Sequence, residues 1–380
     1  MLFRSYERYL RAQGYADPHP WESVANSAED VDGTILSGWH MRHARLPARV
    51  AAEHSETAWT TDQAIAFLEE QGDAPFLLHV SYIKPHWPYV APAPYHALYG
   101  PEHVMPATAE ERERVDPHPV YAAFMDLEES RSFSRREVRE TVIPAYMGLV
   151  AEVDNHIGRL MAALDRLGRS GDTLVVFTSD HGDYLGDHWL GDKELVHEPS
   201  VRIPLIVVDP APQARAGRGT TCDALVESID LAPTFLEAVG APPFDQYLEG
   251  RSLLPWMRGS PPTGDWRNAA FAEVDYGFRT ARPALGIPPR DARAWMVRTS
   301  QWKLVWHARF RPQLFDLVAD PNEFDDRGAD PTLESVRREL ADQLFAWALT
   351  GRRHRITMSD ADVEARTGLA IKRGYLIGVW

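Results

Sequence analysis

The segment TLVVFTSDHGDYLGDHWLGDK, residues 173–193, decides how the chain is interpreted. Its first part is a continuous apolar run, which is typical of a strand covered on both faces of a sheet. Asp180 and His181 follow at once, and Gly182 and Gly186 allow the chain to leave the strand direction there. Open α/β sheets bind ligands beyond the carboxyl ends of their strands, so this loop is a candidate site.

Asp180 and His181 are a candidate pair of metal ligands. Adjacent side chains of a strand point to opposite faces, so both can reach one ion only if the strand has already ended. The imidazole nitrogen favours manganese, zinc or iron over calcium. The alternative is that Asp180 caps the turn and His181 is an ordinary loop histidine, and a bare Asp-His pair does not decide between the two.

The flanking sequence predicts strands that alternate with helices. Residues 75–83, PFLLHVSYI, have the short apolar pattern of a buried strand, and residues 203–208 predict another. Helices are predicted over 61–71, 144–168 and 229–239, each closing at a glycine. This alternation predicts an α/β fold with a mainly parallel sheet flanked by helices.

A change of composition predicts a second, smaller domain. Glycine and proline accumulate over residues 255–290. Beyond them, residues 294–308 predict an antiparallel hairpin and residues 331–350 predict a helix. We therefore divide the chain into an α/β domain over 1–258 and a C-terminal α+β domain over 259–380.

Composition limits the classes of partner. The chain of 380 residues has 40 Lys and Arg against 55 Asp and Glu, a formal net charge of −15, which argues against nucleic acid or an anionic membrane surface as a partner. No run approaches the roughly 18 apolar residues of a membrane span. Cys222 is the only cysteine, which excludes an intrachain disulfide and favours a cytoplasmic location, unless a leader has been lost from the N-terminus. Residues 100–140 are rich in charge and are predicted to be exposed.

Several segments occur together in one order along the chain. They are SYIKPHWPYVAPAPYH at 81–96, TSDHGDYLGDHWL at 178–190, HEPSVRIPLIV at 197–207 and QLFDLVADPNEFDD at 313–326. Together they resemble sulfatases and phosphonate monoester hydrolases of the alkaline phosphatase superfamily. Many calcium sulfatases have Asp followed by Asn or Gln at the metal site, whereas phosphonate monoester hydrolases have the Asp-His found here. The resemblance therefore implies an alkaline phosphatase-like fold and a manganese or zinc ion.

The same resemblance implies roles for two further residues. His86 and Lys193 correspond to residues that hold a small anionic ester, a sulfate or phosphonate, and assist the departure of its leaving group. Preorganised donors and positive groups stabilise such charge. Without the resemblance, His86 would be a loop histidine packed by Trp87, and Lys193 a solvated surface lysine. Lys84 is a candidate of lower priority for the same anion.

Other polar residues near the candidate site are assigned to supporting roles. His188 and His197 are expected to be structural residues or neighbours of the site. Asp154 and His156 fall within the predicted helix over 144–168 and are assigned to its polar face.

The resemblance also identifies what the sequence does not contain. The family's nucleophile is a formylglycine made from Cys or Ser in a Cys/Ser-x-Pro-x-Arg motif, preceded by an N-terminal strand that ends in a metal-binding aspartate. Neither is present: Cys222 has no proline two residues later and no arginine four residues later, and is assigned as structural. A region carrying the nucleophile and further metal ligands is therefore expected to be missing from the N-terminal side.

Three hypotheses follow. The first is a truncated hydrolase of phosphonate monoesters, phosphodiesters or sulfate esters, whose intact form would use a metal-bound formylglycine hydrate as nucleophile. The second is a non-catalytic paralogue or subunit with the same fold. The third is a superfamily hydrolase with a threonine or serine nucleophile, which would also lie in the missing region. Relatives of the phosphonate branch form homo-oligomers through C-terminal segments, so a homo-oligomer is expected.

Overall fold

The computed structural model describes residues 2–242, 248–262, 264, 266–350, 360–375 and 377–380. Helices dominate the first half, and a four-stranded sheet lies in the second. The α-helices are α1 (Leu2–Ala12), α2 (Glu56–Gln71), α3 (Pro119–Met125), α4 (Glu128–Phe133), α5 (Arg136–Arg166), α6 (Glu198–Val201), α7 (Leu231–Ala238), α8 (Leu254–Met257), α9 (Ala281–Ala284), α10 (Glu334–Thr350), α11 (Asp360–Arg366) and α12 (Leu369–Lys372). The strands are β1 (Ser27–Glu29), β2 (Ile35–Ser37), β3 (Val175–Thr178), β4 (Leu205–Val208), β5 (Ala270–Asp275), β6 (Arg293–Arg298), β7 (Trp302–His307) and β8 (Gln313–Asp316).

Helices α2 and α5 pack against each other and end where the sequence predicts. Helix α2 stops at Gly72, whose φ of 55° places it in the region that favours glycine. Its start is earlier than predicted because the Ser55 hydroxyl accepts a hydrogen bond from the Ala58 amide at 3.1 Å and caps the first turn. Helix α5 ends at Arg166, with Leu167 as its C-cap residue before Gly168, whose φ is 70°.

Helix α5 is longer than the sequence predicts because its first turns are buried. It begins at Arg136 and continues through Pro144, although proline lacks the amide needed for one helical hydrogen bond. Val138 and Val142 are fully buried, and this packing keeps the segment helical. The prediction for its polar face is wrong at His156, which is only 5% exposed.

Strands β3 and β4 form the two-stranded sheet beside the candidate site. They are antiparallel, with Val175 opposite Val208 and Thr178 opposite Leu205. A parallel pair needs a crossover that returns the chain to the start of the first strand. Residues 179–204 contain loops and the four-residue helix α6, so β4 returns in the opposite direction. Parallel pairing between described residues is limited to the isolated bridges His40–Val379 and Ala48–Pro92.

The apolar residues of this sheet are less buried than a strand covered on both faces would be. Phe177, Ile206 and Val208 lie on one face and are 38%, 59% and 45% exposed. The prediction of a buried strand over 75–83 is wrong. Residues 75–83 pair with no other strand among the described residues, and Leu77 is 81% exposed. An apolar run forms a strand only where a second strand is available for backbone hydrogen bonds, and the run itself does not indicate one.

The predicted exposure of residues 100–140 is wrong for much of that segment. Val120, Phe124 and Phe133 are buried on α3 and α4, and the carboxylates Glu113 and Glu129 are only 7% and 7% exposed. Charged residues are rarely buried unless they are paired. Here each carboxylate has a partner that is distant in sequence, which composition alone does not indicate.

The C-terminal sheet has the order β5-β6-β7-β8, and all of its pairs are antiparallel. Strands β6 and β7 are the predicted hairpin, which is therefore confirmed. Helix α10 covers one face of the sheet through Leu340 and Leu344, which are buried against Val297 and Leu304. The predicted helix over 331–350 is confirmed, with a 3-10 turn at its start.

The last described residues pack beneath the predicted anion-binding loop. Ile377 and Trp380 contact the cluster that contains Trp87 and Phe133, and the Val379 carbonyl accepts a hydrogen bond from the Met41 amide at 2.9 Å. Helices within the described residues are all too short or too polar to cross a membrane.

Two pairs of buried imidazoles stack between the C-terminal sheet and the rest of the chain. The rings of His118 and His307 are 4.3 Å apart, and those of His188 and His197 are 4.4 Å apart. Burial, together with the neighbouring His118, lowers the pKa of His307 to about 3. Burial also lowers the pKa of His197 well below its ordinary value, so both rings are neutral at pH 7.

Lys303 on β7 joins the C-terminal sheet to the segment that follows the candidate site. Its ammonium group is fully buried and lies 2.8 Å from Glu198 Oε1 and 2.6 Å from Glu323 Oε1, and it donates to the Val196 carbonyl at 3.0 Å. Burial alone would raise the pKa of Glu198, but Lys303 holds it below its ordinary value. This group therefore fixes the start of α6 against the sheet.

Replacing Lys303 by methionine is expected to lower the free energy of unfolding by ~3–5 kcal/mol, because two carboxylates would lose their shared buried partner. Urea unfolding followed by circular dichroism measures the change. The control is Lys372→Met on the exposed surface of α12, for which we expect a change within about 0.5 kcal/mol. A loss equal to that of the control would contradict the structural role of Lys303.

Candidate active site

The loop at residues 84–89 holds His86 in one tautomer. The prolines at 85 and 88 exclude regular structure, and both of their peptide bonds are cis. His86 Nδ1 donates to the Trp87 carbonyl at 2.9 Å, and the indole N–H of Trp87 donates to His86 Nε2 at 3.1 Å. The Nε2 atom is therefore the acceptor of a neutral ring.

Lys193 contacts His86, and we call the region around these two residues, Asp180 and His181 the cleft. Its Nζ lies 2.9 Å from His86 Nε2, and its own carbonyl accepts a hydrogen bond from the Ser200 hydroxyl at 2.6 Å. Gly191 passes so close to the Glu129 carbonyl that a Cβ would lie 2.8 Å from that oxygen, so the approach of the loop requires glycine. The structure thus brings together two residues that are 107 positions apart.

Asp180 and His181 follow the end of β3 and lie on the same cleft. His181 Nε2 is 3.6 Å from Asp180 Oδ2, and His181 Nδ1 is 2.7 Å from the Gly182 carbonyl. The His181 and His86 rings are 6.2 Å apart. Gly182 is needed here because a Cβ would lie 1.9 Å from the Pro199 carbonyl oxygen. The four residues predicted for the site are therefore neighbours in space.

Lys84 points elsewhere. It donates to the Pro88 carbonyl at 2.7 Å and to the Asn26 side chain at 3.3 Å, and it lies near the carboxylates of Glu56 and Glu152. Burial lowers its pKa to about 8, against the opposing effect of those carboxylates. Its contacts stabilise the base of the loop, so its assignment to the anion is not supported by the geometry.

Two further histidines are supporting residues, as the sequence analysis expects. His188 Nδ1 is 2.7 Å from Glu113 Oε1, and His197 Nδ1 is 2.9 Å from the Tyr184 hydroxyl. Both rings are buried, and they contact each other and their own neighbours rather than His86 or Lys193. Cys222, by contrast, is exposed and is not part of a core.

A half-buried acid beside His181, Asp183, was not predicted from the sequence. The Tyr89 hydroxyl donates to Asp183 Oδ2 at 2.9 Å, and the Leu185 amide donates to Asp183 Oδ1 at 3.1 Å. Burial raises the pKa of Asp183 to about 7, and Asp192 adds to this effect while the Tyr89 hydrogen bond opposes it. The available signal was the position of Asp183 two residues after His181, which does not by itself indicate burial.

The donors in the cleft match part of a metal site. A carboxylate and an imidazole suit manganese or zinc, but such ions usually need at least four ligands. Within the described residues, no group of three or more His, Cys, Asp or Glu side chains is arranged to hold a metal ion. The chemistry of the two donors fits manganese or zinc, but two donors are too few for a complete ligand set.

Comparison with known proteins identifies relatives for most of the chain. The family description "Sulfatase" matches residues 8–241, and "N-sulphoglucosamine sulphohydrolase, C-terminal" matches residues 186–349. A multifunctional alkaline phosphatase superfamily protein of Trinickia caryophylli is 34% identical over 80% of this chain, and the match spans 61% of that protein. An arylsulfatase of Clostridium perfringens is 28% identical over 70% of this chain and 52% of its own length.

Two solved structures of phosphonate monoester hydrolases are similar to this chain. The phosphonate monoester hydrolase of Silicibacter pomeroyi superposes with a TM-score of 0.79 and 31% identity, over 92% of this chain and 69% of that one. The phosphonate monoester hydrolase of Agrobacterium radiobacter gives 0.77 and 28%, over 90% of this chain and 68% of that one. The predicted alkaline phosphatase-like α/β fold with a C-terminal domain is therefore confirmed, and this chain spans about two thirds of these structures.

Replacing Lys193 by methionine is expected to raise the pKa of His86. Burial lowers the pKa of His86 most, the hydrogen bond to the Trp87 carbonyl raises it, and the Lys193 ammonium 2.9 Å from Nε2 lowers it further. In the wild type, Nε2 becomes protonated as the pH falls through the lowered pKa of His86, and it then no longer accepts from Lys193. In the variant, the ring takes up this proton at a higher pH. Histidine NMR titration measures this, with His86→Asn to assign the resonance and Lys372→Met as the control. An unchanged titration would contradict the contact.

Proposed function

The chain belongs to the sulfatase family, and from this membership we propose that its cleft takes part in the hydrolysis of phosphonate monoesters, phosphodiesters or sulfate esters. The observation that carries the proposal is the convergence of His86, Lys193 and His181, with 2.9 Å between Lys193 Nζ and His86 Nε2. A positive group and an imidazole at one position suit an anion with charge building on a leaving oxygen.

Lys193 and His86 have complementary roles in this proposal. The ammonium of Lys193 has three donors and binds the oxygens of a sulfate or phosphonate as a point charge. The His86 ring is held by Trp87 on both nitrogens, and its neutral Nε2 accepts from the Lys193 ammonium and so orients that group toward the substrate. Together they would hold the anion and stabilise the departing oxygen.

Asp180 and His181 are proposed as part of a site for manganese or zinc. Asp180 is 87% exposed at its side chain and His181 is 30% exposed, so both have space for an additional ligand. An ion held there would supply a Lewis acid next to the anion. The residues themselves contribute one carboxylate oxygen and one ring nitrogen.

We further propose that another polypeptide segment completes this site. The apolar residues Phe177, Ile206 and Val208 are exposed beside Asp180, and the family relatives are longer than this chain. A segment that covers this face would lie next to the incomplete metal site and would supply the remaining ligands and the formylglycine nucleophile that the resemblance implies. A cytoplasmic, homo-oligomeric protein stays a prediction.

A non-catalytic role is the second candidate. The observation in its favour is that the described residues contain no cluster of three metal-binding side chains. Binding of an anion without turnover would then be the function of the cleft. Metal affinity and turnover in the presence of the proposed additional segment distinguish the two candidates.

The chain alone is expected to bind Mn²⁺ and Zn²⁺ weakly, and a complex with the unmatched part of a longer relative is expected to bind them far more tightly, because each added carboxylate brings charge and coordination. In the complex, His181→Asn should weaken manganese and zinc binding and shift preference toward calcium, since an oxygen donor replaces a nitrogen donor. Titration calorimetry measures each affinity. Tight stoichiometric binding by the chain alone would mean that its ligand set is already complete.

Turnover is expected only in the completed protein. The chain alone, with manganese or zinc, should have negligible activity toward aryl phosphonates, phosphodiesters and aryl sulfates, because loss of a covalent nucleophile costs many powers of ten. In the complex, Lys193→Met should lower kcat by roughly 10²–10³, the usual effect of removing one donor to developing charge. Lys372→Met is the matched control. A chain that turns over alone would contain a nucleophile among residues assigned other roles here.

A further inference from the structure

Arg279 connects the C-terminal sheet to the loop that carries Lys193. It follows β5, and its amide donates to the Tyr276 carbonyl at 3.0 Å. Its guanidinium donates to Glu129 on α4 and lies 3.2 Å from Glu194 Oε1. Its side chain is 16% exposed, so these contacts are largely shielded from water. No sequence motif indicates a role for Arg279.

The charges around Arg279 are unbalanced. Three carboxylates, those of Glu129, Asp192 and Glu194, surround one guanidinium, with Asp192 Oδ2 at 3.7 Å. Their side chains are only 9%, 6% and 18% exposed. Burial raises the pKa of Glu129 and of Glu194, and Arg279 opposes the rise in both cases. Without the guanidinium, these acids would lack their main positive partner.

The next cation within reach of these acids is Lys193. Asp192 and Glu194 flank it in sequence, and Asp192 Oδ1 is 3.5 Å from its ammonium. That ammonium also lies 2.9 Å from His86 Nε2. The Asp192 carboxylate and the His86 ring therefore compete for the same ammonium. Attraction to an unpaired buried carboxylate is strong where water is excluded. Loss of Arg279 would therefore draw Lys193 away from His86.

The backbone supports the same connection. The Gly191 amide donates to the Ser130 hydroxyl on α4 at 3.2 Å, and the Tyr184 amide donates to the Asp192 carbonyl at 2.9 Å. Asp192 itself has a φ of 64°, which few residues other than glycine adopt. Hydrogen bonds to Ser130 and Tyr184 thus hold the loop around Asp192 in an unfavourable backbone conformation. Arg279 adds a charged contact to the Asp192 side chain.

We propose that Arg279 is a positioning residue that neutralises Glu129, Asp192 and Glu194 and so keeps the Lys193 ammonium directed at His86 and available to an anion. The anion part of this inference rests on the proposed function. The positioning part rests on the contacts alone.

The test uses the full chain with its lysines reductively dimethylated with ¹³C. The sequence has only Lys84, Lys193, Lys303 and Lys372, so the Lys193 methyl resonance is assignable with Lys193→Arg. In the wild type, His86→Asn should shift this resonance because it removes the Nε2 contact. In Arg279→Gln the same His86 change should have little effect, and in Arg279→Lys, which keeps the charge, the response should be largely retained.

Sulfate titration adds a binding readout at the same resonance. We expect the Kd for inorganic sulfate to rise about tenfold in Arg279→Gln and less than about threefold in Arg279→Lys, since tenfold corresponds to the loss of one charged contact of moderate strength. The matched control is Arg282→Gln: Arg282 is 5% exposed, pairs with Glu364 and makes no recorded contact with residues 192–194. It should lower Tm without changing the Lys193 response.

The outcomes separate the two parts of the inference. If Arg279→Gln lowers Tm as the control does but leaves the His86 response and the sulfate Kd unchanged, Arg279 is only a structural residue and the proposal is wrong. If the wild type binds no sulfate while the His86 response still depends on Arg279, the positioning role is supported and the anion site of the proposed function is contradicted.

Discussion

The buried ammonium of Lys303 is the interaction on which the arrangement of the cleft depends. It lies between Glu198 and Glu323, which come from different parts of the chain, and it also binds the Val196 carbonyl. A buried ion pair is stable only when the charged groups lie at hydrogen-bonding distance and every remaining donor has an acceptor. The segment from β3 to β4 is therefore attached to the C-terminal sheet through charge, whereas its own apolar strands are only half covered.

The elements predicted well from sequence are those that local pattern determines. The β6–β7 hairpin and helix α10 follow from periodicity, and the end of α2 follows from Gly72. Pairing between distant segments has no such local signal, which is why the antiparallel β3–β4 pair and the unpaired segment over 75–83 were not predicted. An apolar run indicates burial in some context without specifying what provides it.

Some residues of the candidate site were predicted from the sequence and others were not. His86 and Lys193 are 107 residues apart, and only the family resemblance indicated that they meet. Asp183 and Arg279 were missed because their chemistry arises from burial and from partners distant in the chain. A carboxylate such as Glu129 looks solvated in sequence when its guanidinium lies 150 positions away. Charge patterning therefore indicates the overall acidity of the chain better than it indicates the partners of individual charged residues.

The stacked imidazole pairs have a consequence for the acidity that the fold can tolerate. The pKa of His307 is about 3 in the folded chain, against 6.5 for an ordinary histidine, and that of His197 is also depressed. Unfolded chains take up these protons near pH 6.5 while the folded chain does not, so the stability contributed by neutral burial is present above that pH and is lost progressively as pH falls toward 3. Acidification below about pH 6.5 would therefore weaken this fold, through the same neutral rings that stack between the C-terminal sheet and the rest of the chain.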